Sequence, residues 1–311
     1  MARSIKNYIA LSLKGCAMGA ADVVPGVSGG TIAFITGIYE ELINSIKSID
    51  ISAIKLLCSL KFKEFWAKIN GNFLLAVLCG IALSVLSLAK AMTYLLEHHP
   101  IMVWSFFFGL IIASSLLVFK EIKRFNILSA LSIIVGAITA YYITVLSPTQ
   151  TPNDWWFIIL CGAIAICAMI LPGISGSFIL LLMGKYLYIL GAISSFDIAT
   201  IALFGTGAAI GIISFSHILS WLLKHFHTAT ISLLMGFMIG SLNKVWPWKQ
   251  TLETTLDSHG ETIPLIEQNI MPAQYEAITG EPSMLISSIA MAITGFATIY
   301  LIEKLSHSLN K

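Results

Sequence analysis

Residues 22–31 read DVVPGVSGGT and interrupt a run that is otherwise almost wholly apolar. Proline lacks an amide donor and its ring clashes with the preceding turn, so a helix entering this stretch breaks there. Nearly the same words return at 170–177, ILPGISGS. The longer match sets PGVSGGTIAFITGIY (25–39) over PGISGSFILLLMGKY (172–186) at an offset of 147, with Gly37 over Gly184 and Tyr39 over Tyr186. Two further blocks follow in the same order at an offset of 127, 86–99 over 213–226 and 105–119 over 232–246. Chance resemblance between apolar helices does not preserve the order of three blocks. The chain therefore reads as two related halves, 1–150 and 151–311.

The 311 residues are 57% apolar and 11% charged, with a mean hydropathy of +0.87. Soluble domains carry about 25% charged residues. Apolar segments fall near 8–24, 27–46, 72–96, 101–119, 126–146, 155–171, 173–190, 200–223, 228–247 and 285–303. Several are long enough to cross a hydrocarbon core of about 30 Å. The class is an all-α polytopic membrane protein. The five cysteines show no CxxC or Cys/His spacing, so neither a disulfide nor a metal site is expected, and no cofactor. The apolar run YIALSL near the start is too short for a cleaved leader, which predicts an uncleaved N-terminus.

The basic residues set the topology. Arg3, Lys6 and Lys14, the lysines of 47–68, the cluster Lys120, Lys123 and Arg124, then Lys224, Lys304 and Lys311 all share one side if each broken pair enters and returns on the same face. The intervening loops carry almost no basic residues, and 248–284 is acidic. The positive-inside rule then puts both termini in the cytoplasm and 248–284 outside. Each half becomes one re-entrant hairpin (8–46 and 155–190) plus three crossings, and an odd number of crossings makes the two repeats inverted. Hairpin arms of about 15–18 residues are borderline for a full crossing, so ten short crossings is the alternative arrangement.

Inverted repeats with Gly/Pro-broken helices at matching positions point to a transporter's substrate site. After each break a new helix opens, and its first amides lack intrahelical partners and carry the positive end of the dipole. Ser28, Gly29, Gly30 and Thr31 form one such tip, and Ser175, Gly176 and Ser177 the other. Two tips converging at mid-depth suit an anion such as phosphate. The bland alternative is that these glycines only let the tips pack tightly. Asp22, aligned with Met169, is no product of the repeat. An acid at membrane depth is a functional candidate, either exchanging protons with the transport cycle or bracing the tip amides. Lys90 and His217 align between the halves. These two and Lys185 are candidates for guiding an anionic head group, with snorkelling to the interface as the alternative for a lysine near a helix end.

The stretch KGCAMGAADVVPGVSGGTIAFITGIYEELI (14–43), with the second PGISGSFILLLMGKY, resembles the polyprenyl-phosphate transporter family, PopT type, long listed as a domain of unknown function. The resemblance covers essentially the whole chain. It implies a non-enzymatic flippase that returns undecaprenyl phosphate from the outer to the cytoplasmic leaflet of the bacterial plasma membrane, for envelope polysaccharide and peptidoglycan synthesis. Its partners would be that lipid and the bilayer, with protons as a coupling candidate and no nucleic acid. Undecaprenyl pyrophosphate phosphatases have a similar architecture but carry an arginine in a P-G-x-S-R-S-G loop. Here Gly29 and Gly176 stand at that position, and the paired glutamates of that family are missing. Phosphoryl transfer would lack its charge-stabilising groups. A small-anion carrier stays open as the other alternative.

Overall fold

The computed structural model describes residues 3–22, 28–122, 125–146, 148, 151–256 and 262–309. The first break loses its centre, because Val23, Val24, Pro25, Gly26 and Val27 lie outside the described residues. On either side of it stand α1 (Ile5–Asp22) and α2 (Gly29–Ile35), followed by α3 (Tyr39–Lys47). Two short helices, α4 (Ile51–Cys58) and α5 (Phe62–Lys68), lead into α6 (Gly71–His98), α7 (Pro100–Glu121) and α8 (Ile127–Val145). The second half runs α9 (Trp155–Ile170), α10 (Gly176–Leu182), α11 (Tyr186–Ser194), α12 (Ile198–His225) and α13 (His227–Ser241). A strand pair, β1 (Lys249–Leu256) and β2 (Thr262–Asn269), and the short α14 (Pro272–Thr279) precede the final α15 (Leu285–Leu309).

The protein is a mostly helical membrane protein. Among the described residues α7, α8 and α12 are each long and apolar enough to cross a bilayer, and bent pairs raise the number of candidate spans to as many as five. The outward side chains agree: Ile127, Ile134, Ile138 and Val145 of α8 are exposed. Such a face would be an aggregation patch in water and is ordinary in lipid.

Helices pair where side chains vanish. α1 packs on α6, α9 on α12, α8 on α13 and α7 on α15. A Cβ at Gly15 of α1 would collide with the Val77 carbonyl of α6, and one at Gly162 of α9 with the Phe204 carbonyl of α12. Backbones this close gain van der Waals contact without needing a hydrophobic drive, which is weak between helices in lipid.

The short helices end alike. The Gly37 amide donates to the Phe34 carbonyl and the Ile38 amide to Ala33, at 3.1 and 3.0 Å. In the second half Gly184 donates to Leu181 and Lys185 to Leu180, at 2.9 Å each. Both are Schellman caps, and both glycines take the left-handed conformation that costs a Cβ-bearing residue (φ 71° and 62°). The second cap bends α10 against α11 by 113°. The loop 248–284, read from sequence only as acidic and external, is built: β1 and β2 pair antiparallel from Lys249↔Asn269 to Leu256↔Thr262.

Candidate functional site

Chain breaks leave helix-end groups without partners, and here the two breaks supply one another. The Ser28 hydroxyl donates to the Met169 carbonyl at 2.7 Å, satisfying an orphan acceptor in the last turn of α9. The Gly173 amide donates to Thr31 Oγ1 at 2.9 Å. Ser28 and Thr31 are fully buried. Gly173 (φ 86°) presses against the Phe237 carbonyl, so neither its conformation nor its space admits a side chain. A Cβ at Gly30 would strike the Ile170 carbonyl. The first tip is thus docked on the second break.

Within the first tip the amides of Gly29, Gly30 and Thr31 are already used. The Gly29 amide donates to Asp22 Oδ1 at 2.7 Å, the Gly30 amide to Ser28 Oγ at 3.0 Å, and the Thr31 amide to the Ser28 carbonyl at 2.9 Å. Ser28 is an N-cap in extended conformation, the role for which serine is preferred. Asp22 reaches forward seven residues to hold the helix start, as a carboxylate does well at the positive end of a helix. This is the geometry of a brace.

The second tip is different. Ser175 is also an extended N-cap residue, yet it makes no side-chain cap bond to the first turn of α10. Its hydroxyl instead meets that of Ser177 at 2.8 Å. Gly176 lies against the Ala165 carbonyl and Met169. No acid stands here, since Met169 occupies the place aligned with Asp22.

Lys185 and His217 make their bonds to residues outside the tips. Lys185 is buried, and its ammonium donates to the Thr151 carbonyl and Asn153 Oδ1 at 2.6 and 2.7 Å, clamping the entry to α9. His217 is exposed, with Nδ1 2.8 Å from the Ile213 carbonyl one turn back. Lys90 falls in α6, but its side chain lies outside the described residues. No group of three or more His, Cys, Asp or Glu residues fit to hold a metal occurs among the described residues.

Sequence reasoning missed a second polar centre. Lys244, at the end of the apolar segment 228–247, and Lys249, in the acidic loop, both reach Glu267 Oε2, at 3.2 and 3.3 Å. Their signal was available: KVWPWK (244–249) places two lysines around a Trp-Pro-Trp turn, beside an otherwise acidic loop. Burial pushes the Lys249 ammonium down to about 8, although Glu267 opposes this, and the two lysines together hold Glu267 below the usual carboxylate range against its own burial.

Comparison with known proteins bears on this arrangement. The family model described as VCA0040-like, undecaprenyl phosphate translocase-like, matches residues 18–263. A polyprenyl-phosphate transporter of Vibrio cholerae serotype O1 is 47% identical over 304 residues, covering 98% of this chain and 99% of its own length. A polyprenyl-phosphate transporter of Staphylococcus aureus is 36% identical over 253 residues, covering 76% of this chain and 85% of its own. No solved structure matches. The match takes in both broken tips and the first strand of the pair, and this chain belongs to the undecaprenyl phosphate translocase-like family.

Proposed function

We propose that the protein is a transporter of polyprenyl phosphate that moves undecaprenyl phosphate from the outer to the cytoplasmic leaflet of the plasma membrane. In this reading the halves 1–150 and 151–311 are inverted repeats with both termini in the cytoplasm, and the hairpins 8–46 and 155–190 enter from opposite faces. The family membership and the near-full-length relative named a polyprenyl-phosphate transporter support the substrate.

One observation carries the mechanism: the two breaks are bonded to each other through Ser28–Met169 and Thr31–Gly173. Backbone polar groups in lipid must find partners inside the protein, so non-helical chain at membrane depth is tolerated only where protein or a watery cavity surrounds it. The joined breaks form a polar seam, and a phosphate can cross along it while the prenyl chain stays in lipid. The two tips, Ser28 to Thr31 and Ser175 to Ser177, face that seam. With the first tip's amides engaged, the second tip is the one that contacts the phosphate in the seam, through Ser175, Gly176 and Ser177. Asp22 serves as the brace of the first tip.

The test is translocation in vesicles. Protein reconstituted into liposomes loaded with undecaprenyl phosphate should clear the accessible leaflet much faster than protein-free liposomes do. Flux of inorganic phosphate without movement of the lipid would assign the protein to small-anion carriers instead.

A further inference from the structure

The segment that joins α13 to β1 is fixed by its tryptophans. Trp246 Nε1 donates to the Ile270 carbonyl and Trp248 Nε1 to the Ser283 carbonyl, each at 2.8 Å. This turn aims both flanking lysines inward. The Lys249 side chain is 7% exposed and that of Lys244 18%. Lys249 Nζ sits 3.9 Å from the centre of the Trp104 ring, and Lys244 Nζ 4.6 Å from that of Phe178. Cations on aromatic faces gain some stabilisation, but they are not neutralised. Two ammonium groups share one carboxylate, so one positive charge is left over in a low-dielectric place. A buried charge without a partner is costly, and an arriving anion would relieve that cost.

Room for the anion exists. The lysines line a cavity of about 400 Å³, together with Thr144, Asn243, Gln268 and Phe178. A second, mainly apolar groove of about 490 Å³ shares Tyr141 and Asn243 with it and follows α8 and α13 past Ala137, Ile138 and Gly240. Ile138 and Tyr142 on its rim are exposed. A charged chamber opening into an apolar groove fits a molecule with one anionic end and a long hydrocarbon body. A free anion has no use for the groove, and a neutral hydrocarbon none for the lysines. The chamber also adjoins the second tip, because α10 contributes Phe178 to its wall and Ser241 of α13 packs against Gly173.

We propose that this chamber is the loading site for the lipid, with its phosphate monoester held by Lys244 and Lys249 in place of Glu267, and the first units of its prenyl chain in the α8–α13 groove. The assignment rests on the transport reading above and on the topology that puts 248–284 outside. Glu267 is then a resident counter-ion that the substrate must displace.

Binding of farnesyl monophosphate to the full-length protein in detergent tests the proposal. Lys244→Gln and Lys249→Gln should each weaken binding at least tenfold, while Lys249→Arg retains it. Glu267→Gln should tighten binding several-fold, a gain that misfolding cannot imitate. Farnesol and inorganic phosphate should each bind at least tenfold more weakly than farnesyl monophosphate. Wild-type affinity in both lysine-to-glutamine variants, or inorganic phosphate binding as well as the lipid, would overturn the assignment. Vesicle assays separate this claim from the transport reading. Normal translocation by a Lys244→Gln/Lys249→Gln double variant would remove the loading site and leave transport standing. Lysine-dependent binding without translocation would do the reverse.

Discussion

The two broken tips are written in nearly the same letters, yet they are held differently. The first has an acid seven residues before its helix, a serine cap whose hydroxyl also reaches across to the second half, and every early amide engaged. The second has a methionine where the acid would be, an N-cap serine without a cap bond, and a cationic chamber one short helix away. Similar letters give both tips the same break, but partners far along the chain make the first a structural pin, while the second keeps an N-cap serine with no cap bond. Likeness in sequence therefore need not mean an equal structural part.

If that contrast is right, substitutions at the two tips separate stability from transport. The largest effect belongs to Gly30→Leu, whose side chain would drive into the Ile170 carbonyl and push the pin off its seat. Translocation should be lost and thermal unfolding in detergent should come many degrees earlier. Next is Thr31→Val, which keeps the shape and leaves the buried Gly173 amide without its acceptor. Such a loss costs about 1–3 kcal/mol. Ser28→Ala removes an N-cap, worth about 1 kcal/mol, and strips a donor from Met169. Both should lower the unfolding temperature. Ser175→Ala has no cap bond to lose, only its contact with Ser177 Oγ, so stability should fall by less than in Ser28→Ala while translocation falls. A Ser175→Ala protein as unstable as Ser28→Ala would erase the contrast.

Asp22 sharpens the comparison further. Asn at 22 keeps an oxygen for the Gly29 amide and loses the charge, whereas Ala loses both. Stability in the order wild type, Asp22→Asn, Asp22→Ala, with translocation equally responsive to a pH gradient in wild type and Asp22→Asn, is the signature of a brace. Loss of gradient dependence in Asp22→Asn alone would make it a proton carrier. The smallest effect concerns pH. Lys249 sheds its proton above about 8, whereas a phosphate monoester stays dianionic there, its second pKa being near 6. The groups facing Lys249 are Lys244 and Glu267, and Glu267 is ionised throughout. Affinity for farnesyl monophosphate should therefore decline from pH 7 to pH 9, by titration at fixed ionic strength.

Much of this was legible in the letters. Pro172 and Gly173 announced the second break, because no helix carries both through its interior without cost, and Gly37 and Gly184 marked matching helix ends. The long apolar segments became helices close to where they were expected, because hydrophobic length constrains them strongly. What was not legible depended on partners far along the chain. Nothing local says that Ser28 will bond to Met169 rather than face a ligand, or that Asp22 will spend its carboxylate on Gly29. The strand pair at 249–269 was hidden because KQTLETTL carries alternation too weak to outweigh its charges. Lys244 and Lys249 were overlooked for a related reason: a lysine at a helix end or in a polar loop usually points to water, and only the packing of Trp246 and Trp248 turns these two inward.

The most direct measurement is leaflet exposure of undecaprenyl phosphate in liposomes carrying wild-type, Gly30→Leu or Ser175→Ala protein, each checked for folding by its unfolding temperature. The joined tips should give fast clearance by wild type, none above protein-free liposomes by Gly30→Leu, and slowed clearance by a Ser175→Ala protein of normal stability. Wild-type rates in Ser175→Ala, or no clearance by the wild type itself, would contradict the account.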